Sequence, residues 1–218
     1  VHFPVNVMAE QATFDIQYGH VQRNTHENTS WDKAKFEVVG HKYADLSDHD
    51  YGVALMNDCK YGYFVKDNIL DLNLLRSSNN PDPDADQRKH QFTYSIFPHK
   101  HDLIRSNVIP EATCLNQTPI VFNGVKSNNS IPVKLNGNGL ELTVLKKGET
   151  EDYLIIRIVE TFGRKSTGSL KLNGTLTECD LMEWNDMGSQ TNVEGSISLS
   201  FSPFEIKTFK FVTKVTPL

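Results

Sequence analysis

Short runs in which apolar and polar residues alternate recur along most of the 218-residue chain. Examples are Phe14–Tyr18, Gln91–Phe97 and Leu140–Val144. A period of two residues is typical of β-strands with one buried face, whereas a helix requires a period of about 3.6. The sequence shows no helical period of useful length. The pattern therefore predicts an all-β fold.

The composition of the chain changes near residues 102–130. All eight histidines precede this segment, which contains Asn123–Gly124, two prolines and few long apolar runs. Such a composition is typical of a connection between two folded units. We therefore expect a first β region over residues 1–115, a connection over residues 116–130 and a small β-sandwich over residues 131–218.

About six short strands support the prediction of a sandwich in the second half. Tyr153–Val159 is mostly apolar, and apolar residues alternate in Ile197–Phe201. The dipeptide Asn173–Gly174 is typical of a two-residue hairpin turn, because both residue types tolerate positive φ angles. We expect a turn between two strands at that position.

The stretch Val53–Asp86 combines two apolar runs with a dense group of polar side chains. Val53–Met56 and Ile69–Leu75 are mostly apolar, which is typical of strands in a sheet that is covered on both faces. The segment between them, Asn57–Gly62, has the composition of a tight turn and is either a plain polar hairpin or part of a recognition site. The side chains that supply more recognition chemistry than a turn requires are Asp58, Lys60, Tyr61 and Arg76.

A second polar segment, Gly19–Asp32, interrupts the alternation with two histidines, two asparagines and Trp31. We expect a long structured loop here, and such loops are often functional. Trp31 is either a platform on which a sugar ring stacks or a plug that packs the loop onto the sheet.

Charge and hydropathy exclude two classes of partner. The formal net charge is −5, and no basic run gives the footprint of a protein that binds nucleic acid or an anionic membrane. No apolar run approaches the roughly 20 residues that span a bilayer. The N-terminus lacks an initiator Met and the pattern of a signal peptide, which suits a fragment. Three widely spaced cysteines are typical of reduced thiols, and hence of a cytoplasmic protein.

The polar residues do not make up a recognisable catalytic or metal-binding set. No G-x-S-x-G, Walker or G-x-G-x-x-G motif occurs, and the spacing of His20, His26, His41 and His49 fits no zinc motif. His99 and His101 would need a third ligand. A group of three carboxylates could form a glycosidase pair, although alternate aspartates in a proline-containing loop are usually solvated. These carboxylates are Asp82, Asp84 and Asp86.

Four segments carry a resemblance to a known family. They are THENTSWDKAKFEVVGHKYADLS, YGVALMNDCKYGYFV, LLRSSNNPDPDAD and HQFTYSIFPH, and they cover most of residues 19–99. In this order and at these spacings, they resemble the C-terminal region of glycoside hydrolase family 38 α-mannosidases, with closest similarity to the cytosolic and vacuolar branch. The end of the chain, LSFSPFEIKTFKF, resembles the terminal β-sandwich of that branch more loosely.

The resemblance implies a β supersandwich followed by a small β-sandwich, and it implies where the chemistry lies. In this family the zinc ion, the aspartate nucleophile and the acid/base carboxylate belong to an N-terminal barrel outside these 218 residues. We therefore expect no catalytic residue, metal or cofactor in this chain. Its implied partners are the barrel and helical domains of the same polypeptide, a mannosyl oligosaccharide as substrate, and further copies of the protein in a homo-oligomer.

The resemblance also implies that Arg76 approaches the active site, because an arginine from the matching strand does so in related enzymes. An arginine offers forked donors to a carboxylate or to sugar hydroxyls. Asp58 is the nearest partner in sequence, and Asn57, Lys60 and Tyr61 could extend the network. We predict that these five residues line the substrate pocket.

The sequence departs from the family pattern at three places. Asn24 and Glu27 replace the usual proline and tyrosine, Ser77–Pro81 replaces a more proline-rich loop, and Arg88 or Lys89 replaces a glycine. Because it contains fewer prolines, the loop after Arg76 is expected to be less rigid than the corresponding loop of the family. The alternative hypothesis is a stand-alone carbohydrate-binding or structural β module.

Overall fold

The computed structural model describes residues 1–121, 123–124, 133–149 and 152–214. The chain divides after residue 121 into two compact units. Strands dominate the described part of both units, which confirms the predicted all-β fold.

The first unit contains two antiparallel sheets. A four-stranded sheet has the order β1-β8-β7-β4, and a five-stranded sheet has the order β3-β2-β5-β6-β9. The strands are β1 (His2–Pro4), β2 (Gln11–Ile16), β3 (Gly19–Asn24), β4 (Val38–Val39), β5 (Tyr43–Ser47), β6 (Tyr51–Asn57), β7 (Gly62–Lys66), β8 (Ile69–Leu72) and β9 (Tyr94–Lys100).

The two sheets pack face to face around one apolar core. Phe14 and Leu55 of the five-stranded sheet contribute to this core, together with Tyr63, Leu70 and Leu72 of the four-stranded sheet. The rings of Phe14 and Tyr63 meet edge to face with their centroids 6.2 Å apart. Each fully buried side chain of this size stabilises the fold by about 1.5–3 kcal/mol.

Strand β6 is covered on both faces, as its continuous apolar sequence predicts. Val53 and Leu55 face the core between the sheets. Ala54 and Met56 face a second core on the other side. A helix, α2 (Val108–Asn116), supplies part of that second core.

Strand β8 differs from the prediction. It ends at Leu72 rather than Leu75, and only one of its faces is buried. Leu70 and Leu72 are fully buried, whereas Ile69 is 37% exposed. The prediction of a strand with two covered faces is therefore wrong here, because the outward-facing Ile69 and Asp71 are not buried.

The helix α2 also differs from the prediction, because the sequence indicates no helix and residues 102–130 have the composition of a connection. A short 3-10 helix, Leu103–Arg105, precedes it. Pro110 is the third residue of α2, where its missing N–H costs nothing because first-turn N–H groups have no partner within the helix. Val108 and Ala112 are four residues apart and both fully buried. This i, i+4 spacing is the helical signal that the sequence contains.

The segment Gly19–Asp32 is not one long loop. Its first six residues form β3, which pairs with β2 in a hairpin. Its end enters a short helix, α1 (Ser30–Lys33), which is capped reciprocally by Thr29 and Asp32. β3 is at the edge of its sheet and pairs only with β2. The many polar residues of β3 suit this edge position.

The second unit has six strands among its described residues, joined through the long strand β13. Residues 169–171 of β13 pair with β10 and residues 174–179 pair with β15, while β14 pairs along the other edge. The strands enclose one core that includes Ile156, Leu170 and Phe209. They are β10 (Lys134–Asn136), β11 (Leu140–Lys147), β12 (Leu154–Glu160), β13 (Ser166–Cys179), β14 (Thr191–Phe201) and β15 (Ile206–Thr213).

Asn173–Gly174 lies inside β13 and is not the predicted hairpin turn. Gly174 has a φ of 156°, and a Cβ added to it would lie 2.1 Å from the carbonyl oxygen of Val212. Asn173 Oδ1 accepts a hydrogen bond from the Gly195 backbone at 2.8 Å. A glycine is needed here because two backbones approach closely where β13 changes neighbour from β10 to β15.

Candidate functional site

The last residue of β6 and the turn that follows it carry four of the five predicted site residues. The turn is not a hairpin, because β6 belongs to the five-stranded sheet and the following strand, β7, belongs to the four-stranded sheet. The chain therefore crosses between the two layers of the first unit here. Such a crossing must satisfy backbone groups that no sheet partner reaches.

Asn57 satisfies those groups from inside the protein, where it is 1% exposed. Its Oδ1 accepts hydrogen bonds from the backbone N–H of Cys59, at 2.9 Å, and of Lys60. Its Nδ2 donates to the His41 carbonyl at 2.8 Å and to the Tyr63 hydroxyl. Asn57 is therefore the residue that shapes the turn, and its side chain does not face a pocket.

Tyr63 completes this buried network. Its hydroxyl lies 3.3 Å from the Leu55 carbonyl oxygen, so the Tyr63 side chain links the two sheets. Burial raises the pKa of Tyr63, while its hydrogen bond with Asn57 opposes the rise in part. Gly40 leaves room for the ring, because a Cβ there would lie 2.8 Å from it.

Asp58 pairs with Thr93, which directly precedes β9, and not with Arg76. Its Oδ1 accepts from the Thr93 backbone at 2.9 Å, and its own N–H donates to the Thr93 carbonyl at 3.1 Å. Hydrogen bonding from the Cys59 side chain and from Thr93 holds the pKa of the Asp58 carboxyl below its usual value. The expected Asp58–Arg76 pair is thus wrong.

Lys60 and Tyr61 lie on the outer side of the turn. The Lys60 ammonium is 5.0 Å from the centroid of the Phe92 ring, in a cation–π contact. Tyr61 is 54% exposed and meets His41 edge to face at 5.3 Å. Both side chains are accessible, unlike Asn57.

Arg76 is held by Glu37, a residue that no sequence motif singles out. Its Nη2 donates to Glu37 Oε2 at 3.0 Å, and Asn73 Nδ2 lies 3.3 Å from both oxygens of the same carboxylate. Glu37 stands between Phe36 and Val38 in an alternating run, which indicates an outward-facing charge but not its partner. A separation of 39 residues hides this pair from any local pattern.

An open cavity of about 320 Å³ brings Arg76 and Lys60 together, and we name it the rim groove. Its lining residues are Glu37, Lys60, Gly62, Asn73, Leu74, Leu75, Arg76, Ser78, Ala85 and Asp86. The groove shares Glu37 and Asn73 with a neighbouring cavity of about 520 Å³, to which Phe36 and Phe92 contribute. Asn57, Asp58 and Tyr61 line neither cavity. The structure thus brings two of the five predicted residues into one groove.

The aspartates of the loop 82–86 take part in local turns. Asp82 Oδ1 accepts from the Asp84 backbone at 3.0 Å, and Asp86 Oδ2 accepts from the Ser77 backbone at 2.5 Å. Trp31 is 81% exposed on α1, so it does not pack the segment onto the sheet. The plug interpretation of Trp31 is therefore wrong, and its use as a sugar platform stays a prediction.

Within the described residues, no group of three or more histidine, cysteine or acidic side chains could hold a metal ion. The buried His99 is instead bound to Asp45, with Nε2 2.7 Å from Oδ1. A zinc ion therefore does not fit the side chains that the structure describes. Cys59, Cys114 and Cys179 are free. None of the described helices has the length and apolar character needed to cross a membrane.

Two family models match the chain, one in each unit. Residues 1–84 match the glycosyl hydrolases family 38 C-terminal domain, and residues 139–209 match the glycosyl hydrolases family 38 C-terminal beta sandwich domain. The chain belongs to glycosyl hydrolase family 38. The first match includes all five predicted site residues, and the second confirms the terminal β-sandwich.

Several α-mannosidases are similar to this family 38 chain in sequence. Alpha-mannosidase G of Dictyostelium discoideum is 38% identical over 95% of the chain, and alpha-mannosidase 2C1 of Homo sapiens is 37% identical over the full length of the chain. An alpha-mannosidase of Saccharomyces cerevisiae is 30% identical over 96%. The alignments span 20%, 22% and 22% of these relatives, so the chain covers about a fifth of their length.

The fold of the family 38 chain is also found in a solved structure. The crystal structure of an alpha-mannosidase from Enterococcus faecalis V583 matches 97% of the chain with a TM-score of 0.76 and 18% sequence identity. The match spans 25% of that protein. The all-β architecture described above is therefore one that a larger α-mannosidase contains.

Proposed function

We propose that this chain is the non-catalytic C-terminal part of an α-mannosidase that hydrolyses terminal α-mannosyl residues with retention of configuration. The similar proteins are named α-mannosidases and are about five times as long as the chain. The nucleophile, the acid/base carboxylate and the zinc ion belong to the upstream catalytic domain of that parent protein. The 218 residues alone are therefore expected to be inactive.

The role we propose for this region is to form part of the wall of the mannose pocket, with Arg76 as the residue that faces substrate. The observation that supports it is the exposed Arg76–Glu37 pair on the rim groove. The Arg76 side chain is 66% exposed although it is fixed by an ion pair. A guanidinium has five N–H donors, so one bond to Glu37 leaves donors for sugar hydroxyls or for a carboxylate of the catalytic domain.

The partners follow from the same proposal. They are the upstream barrel and helical domains, a mannosyl oligosaccharide, and other copies of the protein in a homo-oligomer. The three free cysteines support a cytoplasmic location, where thiols stay reduced.

The experiment that tests the proposal is the substitution Arg76→Ala in the full-length protein that contains this chain. We expect kcat/KM for a nitrophenyl α-mannoside to fall at least about tenfold, or about 1.4 kcal/mol of transition-state stabilisation. The melting temperature should stay at the wild-type value, because an exposed ion pair contributes little to stability.

Arg88→Ala is the matched control, since Arg88 is also exposed but does not line the groove. It should retain the wild-type kcat/KM. Wild-type kcat/KM in Arg76→Ala would contradict the pocket-wall role, and an upstream reading frame that encodes no barrel would contradict the parent enzyme.

A second candidate is a stand-alone carbohydrate-binding module, and one observation favours it. The larger cavity places the rings of Phe36 and Phe92 beside Asp71 and Asn73, and sugars are commonly bound between aromatic faces and planar polar groups. Phe36 is 67% exposed. Titration of the chain with mannobiose, followed by NMR, should then shift signals of Phe36 and Asn73 first. Unshifted signals at millimolar sugar would reject this candidate.

A further inference from the structure

We propose that Glu37 is the positioning residue for Arg76, so that the carboxylate of Glu37 decides where the guanidinium points. This inference rests on the proposed function, in which Arg76 faces the mannose pocket. Glu37 itself need not touch substrate. It acts by holding a long side chain that would otherwise sample many rotamers in solvent.

Three separate elements place the Glu37 carboxylate. Glu37 directly precedes β4, Gly62 begins β7, and Asn73 directly follows β8. These strands are neighbours in the four-stranded sheet, in the order β8-β7-β4. The backbone N–H of Asn73 donates to the Gly62 carbonyl at 2.8 Å, which fixes the end of β8 against the start of β7.

Contacts with Asn73 and Gly62 restrict the carboxylate. Asn73 Nδ2 lies 3.3 Å from each of its oxygens. The carboxylate also lies directly over Gly62, where an added Cβ would be 2.2 Å from Glu37 Oε1. Any larger residue at position 62 would displace the carboxylate, so the glycine provides the space that Glu37 occupies.

A positioning residue should be less exposed than the side chain it holds, and the two partners of the ion pair differ in this way. The Glu37 side chain is 25% exposed and the Arg76 side chain is 66% exposed. The less exposed and more contacted carboxylate is the fixed member, and the guanidinium extends from it into the groove. Because Arg76 follows the end of β8 and lies outside any strand, its backbone alone does not set its direction.

The chemical consequence is a guanidinium with a defined orientation and a neutralised charge. One Nη2 hydrogen bond is used by Glu37. Arg76 also lines the rim groove, so its remaining N–H groups can donate to a group bound there. A sugar hydroxyl or a carboxylate of the upstream domain then meets preoriented donors, which is how a positioning contact lowers an activation barrier.

A double-mutant cycle in the full-length protein tests the inference. Its four forms are the wild type, Glu37→Gln, Arg76→Ala and the double variant. We expect Glu37→Gln to lower kcat/KM about fivefold when Arg76 is present and to have no effect when Arg76 is alanine. The melting temperature should not change, because glutamine has nearly the same shape and can still bond Asn73.

Glu27→Gln is the matched control, because Glu27 also pairs with one cation, Lys66, at 2.6 Å but lies away from the groove. It should keep the wild-type kcat/KM in both backgrounds. Equal losses from Glu37→Gln with and without Arg76, or no loss in either, would overturn the positioning role while the proposed function stands. No loss from Arg76→Ala would overturn both.

Discussion

Asn57 and Arg76 belong to the same polar stretch of sequence, yet the structure uses them in opposite ways. Asn57 is 1% exposed and each of its side-chain polar atoms is bonded within the protein. The Arg76 side chain is 66% exposed and is held through one ion pair. The first residue shapes the fold, and the second is available to a ligand.

The difference shows that a high density of polar residues near a turn does not by itself identify a site. A buried amide is present because the crossing between two sheets leaves backbone groups that need partners. An exposed guanidinium fixed by a carboxylate has no such structural requirement, since exposed ion pairs add about 0–1 kcal/mol. Burial therefore distinguishes the two uses, and four predictions test the distinction.

The largest effect is expected from Asn57→Ala. The substitution removes the acceptor of two backbone N–H groups and the donor to Tyr63 and His41. Leaving such groups without partners should lower the free energy of unfolding by about 3 kcal/mol, measured by urea denaturation.

The control for this change is Asn79→Ala, because Asn79 is exposed in the loop after Arg76. Its free energy of unfolding should stay within about 0.5 kcal/mol of the wild type. If Asn57→Ala were equally stable but lost catalytic activity in the full-length protein, Asn57 would belong with Arg76 after all.

The next effect is that of Arg76→Ala, which should be large on activity and small on stability. The expected loss of at least about tenfold in kcat/KM is accompanied by a change in unfolding free energy below about 1 kcal/mol. In the full-length protein, we expect Asn57→Ala to lower mainly the free energy of unfolding and Arg76→Ala to lower mainly kcat/KM. If both variants lost the same quantity, the distinction between the two residues would be wrong.

A smaller effect concerns His99, whose ring is buried against Asp45 with Nε2 2.7 Å from Oδ1. Burial lowers the pKa of His99, but the hydrogen bond and the charge of Asp45 outweigh it, so the net pKa is raised. The pair therefore stabilises the fold fully below the unfolded pKa of about 6.5, and this stabilisation is lost as pH rises through the folded pKa.

We expect the unfolding free energy of the wild type to fall above about pH 6.5 more steeply than that of His99→Gln. Urea denaturation at a series of pH values measures both slopes. His101→Gln, which removes an exposed ring, is the control and should follow the wild type. Parallel curves for the wild type and His99→Gln would show that the ion pair does not contribute.

The smallest effect is expected at Lys60, which lines the rim groove above Phe92. A cation–π contact at a partly exposed site contributes about 0.5–1 kcal/mol. A double-mutant cycle of Lys60→Met and Phe92→Leu, followed by urea denaturation, should give a coupling of this size. A coupling energy near 3 kcal/mol would show instead that Lys60 supports the fold as strongly as the buried Asn57 does.

Part of the fold could be predicted from local pattern. The continuous apolar run at Val53–Met56 correctly indicates a strand covered on both faces, because every residue in it must avoid water. The similar run at Ile69–Leu75 was misleading. Leu70 and Leu72 face the core and Leu74 packs partly against it, whereas Leu75 is exposed. Leu74 and Leu75 both follow the strand and line the groove. Composition alone does not distinguish a second buried face from an apolar groove wall.

Two further errors have a common cause. Gly174 suits a turn by its tolerance of positive φ, but it is required inside β13 because the Val212 carbonyl approaches it. Pro110 suits a connection, but it is tolerated in the first turn of α2. In both cases the residue type permits two structures, and packing against another part of the chain selects one.

The sequence by itself determined the all-β class, the terminal sandwich and the family, because these depend on periodicity and on long segments of matching residues. Only the tertiary structure decided which polar residues share a site. Glu37 and Arg76 are 39 residues apart and meet because β4 and β8 both pair with β7. Contacts of that separation are set by strand order and register, which no local pattern encodes.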